Sequence, residues 1–138
     1  MVFEVTGTAE AFLLGRVLFG AILGFMGLNH FLNRDQMVPY ADAKGVPLPA
    51  IAVPLSGAML AVGALSVIAG VYPAVGAGLL ALFLVVTTPL MHDFWAVPED
   101  QQQDEMINFL KNVGLLGGSL VLLALSGVAW PYAAGVGL

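Results

Sequence analysis

The chain alternates between long apolar runs and short polar ones, and the apolar runs are too long for a soluble core. From Gly45 to Met91 no residue is charged, and none is charged from Asn112 to Leu138. Crossing a bilayer takes roughly 20 consecutive apolar residues, and both runs exceed that. The pattern predicts four spans, at 11–32, 50–72, 74–91 and 106–128. The second and third must be separate, because one helix over the uncharged run would be about 70 Å long, far more than a bilayer core. Gly70-Val71-Tyr72-Pro73 supplies the break.

Polar stretches at 33–49 and 92–105 join the spans. In the first, Pro39, Gly45, Pro47 and Pro49 argue against a long helix and leave a short interfacial turn over Met37–Asp42. The first span is thinned by Gly15, Gly20, Gly24 and Gly27, and Gly20-x-x-x-Gly24 lets another helix approach closely. Thr87 and Thr88 can bond back to their helix near Pro89 and bend it. Asp104 and Glu105 suit the start of the fourth span by the helix dipole. Short connections imply antiparallel neighbours. The expected fold is therefore all-α, a four-helix transmembrane bundle in up-down order, forming one domain over residues 1–138.

Composition sharpens this. Hydrophobic residues make up 59% of the chain and charged residues 9%, where soluble domains carry roughly 25% charged residues. There is no cysteine, which excludes disulfides, thiol catalysis, persulfide relay and cysteine-ligated iron–sulfur clusters. The net charge of −5 argues against a nucleic-acid partner. Glu4 and Glu10 precede the first apolar run without a positive flank, so that run reads as a retained span and not a cleaved signal. Phosphate loops, dinucleotide fingerprints, zinc helices and nucleophile elbows are absent. No acidic relay lies within the spans, which argues against a pump.

An up-down bundle brings most of the chemistry to one membrane face. Asn29 and His30 close the first span. Met91-His92-Asp93-Phe94-Trp95 closes the third, and Lys111-Asn112 lies near the start of the fourth. Arg16 alone lies toward the opposite face, yet it shares a helical side with His30. Ionisable groups inside a membrane cost several kcal/mol unless paired, which makes them functional candidates. The candidate headgroup-binding residues are thus Arg16, Asn29, His30, His92, Asp93, Trp95, Lys111 and Asn112. Plainer roles stand beside these. Lys111 can pair with Asp93 or Asp104, Arg16 can reach its own interface, and the two histidines can be hydrogen-bonded anchors. Trp95, Trp130, Tyr40, Tyr72 and Tyr132 suit an aromatic belt, and the methionines are core filler. No metal site and no resident cofactor are expected. The sole candidate heme ligands are the two interfacial histidines.

Five short pieces in order resemble the DoxX family. They are Gly15-Arg16, Gly27-Leu28-Asn29-His30-Phe31, Tyr40-Ala41-Asp42-Ala43-Lys44-Gly45-Val46-Pro47, Met91-His92-Asp93-Phe94-Trp95 and Phe109-Leu110-Lys111-Asn112-Val113-Gly114-Leu115-Leu116-Gly117. The resemblance implies a four-helix membrane protein associated with membrane redox systems. The family name comes from a terminal quinol oxidase, and relatives act in thiosulfate:quinone oxidation. It brings no settled catalytic residues. Members often carry a glutamate in the second span, where this chain reads Pro54-Leu55-Ser56-Gly57-Ala58. That loss puts any shared proton chemistry in question.

The leading functional expectation is a small accessory or quinone-interacting subunit of a membrane oxidoreductase, with quinone as the small molecule. Its partners would be the lipid bilayer, other oxidoreductase subunits or further copies of itself. One alternative is a non-enzymatic protein that binds lipid or organises a partner. A second is a small-solute transporter working as an oligomer. Arg34, Lys44 and Lys111 place the loops at 33–49 and 92–105 in the cytoplasm and both termini outside. A cysteine placed beside Lys44 should resist an impermeant external thiol reagent in intact cells; ready labelling would reverse the orientation.

Overall fold

Proline and glycine set the boundaries of the helices. The computed structural model describes residues 2–137. It has α1 (Thr8–Leu32), α2 (Arg34–Ala43), α3 (Pro49–Ala69), α4 (Pro73–Met91) and α5 (Glu99–Leu125). Pro49 and Pro73 each open a helix, where the missing N–H costs nothing. Gly70 ends α3 in the left-handed conformation, at φ +66°. Glu99 and Asp100 occupy the first turn of α5 and complement its dipole. α1, α3, α4 and α5 are each long and apolar enough to cross a membrane. Their outward faces carry Phe25, Leu65 and Leu110, 67%, 67% and 58% exposed; side chains this apolar need hydrocarbon around them.

Glycine contacts fix the order of packing. A Cβ at Gly27 would lie 2.7 Å from the Gly57 carbonyl, and one at Gly57 would lie 2.7 Å from the Cβ of His30. Gly24 faces Ala64, and Gly20 faces Ile68. As numbers rise along α1 they fall along α3, so the two helices are antiparallel and in backbone contact. Gly63 and Gly76 repeat the device between α3 and α4, each facing the other's carbonyl. The helices form a row, α1–α3–α4–α5. At its open edge Phe19 of α1 packs against Gly118 of α5. Leu23, Leu60, Leu80 and Leu84, all fully buried, form the centre of the core.

Three expectations need correction. The loop at 33–49 holds a helix of ten residues with Pro39 inside it. Pro39 is exposed, so water can satisfy the carbonyl that it leaves free. The fourth membrane helix starts at Glu99, well before residue 106, because acids in the first turn favour helix. Trp130 does not anchor an aromatic belt. It is 5% exposed, donates to the Leu125 carbonyl at 2.8 Å and stands edge-on to Phe12 at 5.1 Å.

Arg16 explains the burial of Trp130. It is fully buried and makes no ion pair among the described residues. Its guanidinium donates to the carbonyls of Pro131 (2.6 Å), Tyr132 (2.8 Å) and Ile68 (2.9 Å). It lies over the rings of Phe12 and Trp130 at 5.4 and 5.3 Å. Ile68 belongs to the last turn of α3, the negative end of that helix dipole. The segment after α5 is thereby folded back onto the α3–α4 turn, where Ala134 N–H donates to Ala69 at 2.8 Å and Tyr72 N–H to Val136 at 2.7 Å. Arg16 thus locks the end of the fold opposite His30, with its guanidinium held by backbone carbonyls.

Arg16→Leu should leave these carbonyls unpaired. A buried orphan acceptor costs about 1–3 kcal/mol, so the thermal midpoint in detergent should fall. Proteolysis should cut first within 126–137. An unchanged midpoint with an uncut tail would show that the lock is dispensable.

Candidate functional site

The crossing of α1 and α3 at Gly27 and Gly57 presses His30 onto α3. His30 Nδ1 lies 3.1 Å from the Val53 carbonyl and 3.0 Å from Ser56 Oγ. Ser56 Oγ donates its proton to the same carbonyl at 2.8 Å. A carbonyl only accepts, so Nδ1 carries the proton and donates to both oxygens. A singly protonated ring then presents Nε2 as a lone pair. Ser56 lies in the stretch where the family resemblance would place a glutamate.

α2 forms the roof beside this ring. Pro54 lacks an N–H, which leaves the Ala50 carbonyl without its helical donor; Arg34 of α2 donates to it at 3.0 Å. Lys44 pairs with Asp93 at 2.5 Å, tying the end of α2 to the end of α4. Tyr40 Oη donates to the Met91 carbonyl at 3.4 Å. His92 Nδ1 contacts the Glu105 carboxylate at 2.8 Å. Lys44 holds the Asp93 carboxyl below its usual range, and the hydrogen bond from Lys44 to Asp93 raises the amine above its own. Burial, reinforced by Glu105, raises the Tyr40 phenol.

Beneath the roof is a cavity of about 480 Å³ between α1, α2, α3 and α4, reached from α5 by one side chain. Its walls are mostly apolar, and four methionines line it: Met26, Met37, Met59 and Met91. Methionine is unbranched and adapts its shape to what it touches, so these four form a yielding wall; Met26 and Met59 also pack against the core, as filler would. The polar side chains on the wall are His30, His92, Tyr40, Ser56, Thr87 and Asn112. Asn112 is 9% exposed, and its amide has no hydrogen-bond partner among the described residues.

Of the eight candidates, His30, His92 and Asn112 line this cavity, and Asp93 closes its roof from outside. Asn29 sits half-buried beside it, accepting from Asn33. Trp95 is 58% exposed and packs edge-on against Phe94 and Phe109, as an anchor would. Arg16 is at the other end. Lys111 corrects an expectation: it pairs with neither Asp93 nor Asp104. Lys44 has taken Asp93, and Lys111 is exposed on α5, where its flexible stem lets the amine rise to the membrane surface. Thr87 bonds back to the Phe83 carbonyl at 2.7 Å; Thr88 does not, and its buried hydroxyl has no partner. The residues missed from sequence are Tyr40, Lys44, Ser56 and Glu105. Of these, Tyr40 and Lys44 carried a signal, standing four apart on one polar helical side.

A second, more apolar groove of about 420 Å³ lies between α3 and α4 near their turn, lined by Val62, Leu65, Val75 and Leu79 among others. Among the described residues no group of three or more metal-ligating side chains is assembled.

A multi-pass helical membrane protein with a polar-tipped pocket that opens sideways past Leu82 and Val86 is the class that this geometry defines. The model of the DoxX family matches residues 11–93, more than half of the chain, and the chain belongs to that family. It is 28% identical over 115 residues to the inner membrane protein YphA of Escherichia coli strain K12, covering 83% of this chain and 81% of that protein. No solved structure matches it. The family match reaches through His92 and Asp93; Asn112 lies beyond it.

The Lys44–Asp93 bond has a defined pH window. Asp93 has a lowered pKa, so its contribution is present above the ordinary carboxylate value of 3.8 and is lost as pH falls through the lower folded value. Lys44 has a raised pKa, so its contribution holds below the ordinary 10.5 and is lost as pH rises through the higher folded value. Hydrogen exchange in α2 should stay slow between those limits. Asp93→Asn should speed it several-fold at pH 7, and equal exchange in variant and parent would remove the bond from the account of the roof.

Proposed function

We propose that this DoxX-family protein binds the ring headgroup of a lipophilic quinone-type molecule in the cavity, as a small subunit of a membrane redox system. The observation that carries the reading is that one mostly apolar cavity is lined both by the His30 ring and by the side chain of Asn112, a residue 9% exposed whose amide makes no hydrogen bond among the described residues. Binding pockets for lipophilic molecules combine mostly apolar walls with a few placed polar groups. A volume of about 480 Å³ suits a substituted ring and the first part of a tail, and the methionine wall can adjust to the substituents. The partner subunit would supply the electron donor or acceptor for the bound ring. The roof formed by α2 and the 92–98 connection would face the cytoplasm, following the distribution of Arg34, Lys44 and Lys111.

A second reading is a protein that binds ordinary lipid or organises a partner. The groove between α3 and α4 favours it, since its wall is apolar and open to the bilayer side.

Titration of the purified chain in mild detergent with decylubiquinone separates the two. The first reading expects saturable binding that weakens about tenfold in Asn112→Leu, the loss of one hydrogen bond to a buried group. It also expects a quinone among the molecules extracted from freshly purified protein. Partitioning into micelles alone, with only ordinary lipid extracted, would favour the second.

A further inference from the structure

The hydroxyl protons on the cavity wall are already committed to backbone carbonyls. Ser56 gives its proton to Val53, Thr87 to Phe83 and Tyr40 to Met91, at 2.8, 2.7 and 3.4 Å. His30 gives its Nδ1 proton to Val53 and Ser56. His92 turns Nδ1 to the Glu105 carboxylate at 2.8 Å. What remains toward the cavity is a set of lone pairs: Nε2 of His30 and the oxygens of Tyr40 and Thr87. The Asn112 amide is an uncommitted donor on this wall among the described residues.

We infer that the cavity selects a ligand whose polar end is a hydrogen-bond donor, a ring hydroxyl, with His30 Nε2 accepting its proton and the Asn112 amide donating to its oxygen. This rests on the reading of the cavity as a ring-headgroup site and adds the sign of the recognition. A ring ending only in carbonyls would set acceptor against acceptor at His30 and find a single donor in Asn112. A hydroxylated ring satisfies both residues at once. Discrimination of this kind is steep, because the mismatched form leaves buried polar groups unpaired. For a redox-active ring it means that the reduced, hydroxylated form is held and the oxidised form released. His30 is then the specificity residue, and Ser56 and Val53 are positioning residues that fix which of its nitrogens is bare.

The test uses the full chain in dodecylmaltoside at pH 8, above the ordinary imidazole range. The probes are 4-octylphenol and its methyl ether, 4-octylanisole, which share a shape but differ in the donor. Calorimetric titration, corrected for partition into empty micelles, should show the phenol binding about tenfold tighter or more, one buried hydrogen bond. In His30→Leu the two probes should bind within about twofold of each other, since the difference in donor has lost its reader. His30 is packed tightly, so a second measurement does not depend on a variant. Nitrogen-15 NMR of the imidazoles in the parent chain should find a ring with Nδ1 protonated and Nε2 bare, assigned to His30 by its absence in His30→Gln. Equal affinity for phenol and ether, or a His30 ring protonated on Nε2, overturns the inference and leaves the ring-binding reading standing. Binding of neither probe, nor of decylubiquinone, overturns both.

Discussion

The close crossing of α1 and α3 governs the rest of the structure. Two glycines, Gly27 and Gly57, bring backbone to backbone, and a Cβ on either would meet a carbonyl within 3 Å. Membrane helices gain little from the hydrophobic effect against one another, so such close packing is what holds them together. The same contact delivers His30 to the Val53 carbonyl. A larger residue at 57 would push α1 outward, and the imidazole would lose both oxygens that fix its tautomer. Packing and chemistry therefore share one set of atoms at this face, and the site cannot be altered independently of the fold.

The two ends of the bundle manage their polar groups in opposite ways. At the Arg16 end both terminal nitrogens of the guanidinium are matched to carbonyls, Nε is buried without a partner, and aromatic rings close over the charge. Arginine suits this role because its planar fork serves several acceptors at once. At the His30 end the Asn112 amide makes no hydrogen bond among the described residues, and proline has removed helical donors. Pro54 frees a carbonyl, which Arg34 takes up, and Pro89 sits where α4 turns toward His92. One end is a lock and the other is a cavity. Incomplete satisfaction beside an adaptable methionine wall is what a ligand can complete.

Much of the fold was legible from the chain. Uncharged runs mark the spans, and Gly70 with Pro73 marks the turn, because a bilayer imposes length and apolarity directly on sequence. The helical loop α2 was not, since prolines at 39, 47 and 49 outweighed the exposure that makes Pro39 tolerable. Trp130 read as an anchor because its position suited a belt; only the fold shows that Arg16 draws the tail inward. Of the site, His30, His92 and Asn112 could be named from their place at one face. Lys111 was given Asp93 or Asp104 as a partner, yet α2 brings Lys44 to Asp93. Pairings between loops depend on how each loop folds, and no local pattern records that.

The least legible feature was the sign of the hydrogen bonds. A sequence lists side-chain donors and acceptors, but half of the partners here are backbone carbonyls: Val53, Phe83, Met91 and Ala50. Each consumes a proton that a sequence reading would count as available to a ligand. Ser56, Thr87 and Tyr40 look like three donors in the chain; in the fold Ser56 accepts from His30, and Thr87 and Tyr40 offer acceptors to the cavity. Helices make this conversion common in membranes, where hydroxyls bond back to their own carbonyls for want of water. A polar cavity between membrane helices thus tends toward acceptor character unless amides, lysines or protonated imidazoles reverse it. In this protein one amide, Asn112, does so, and it comes from α5, the membrane helix that gives the cavity a single residue.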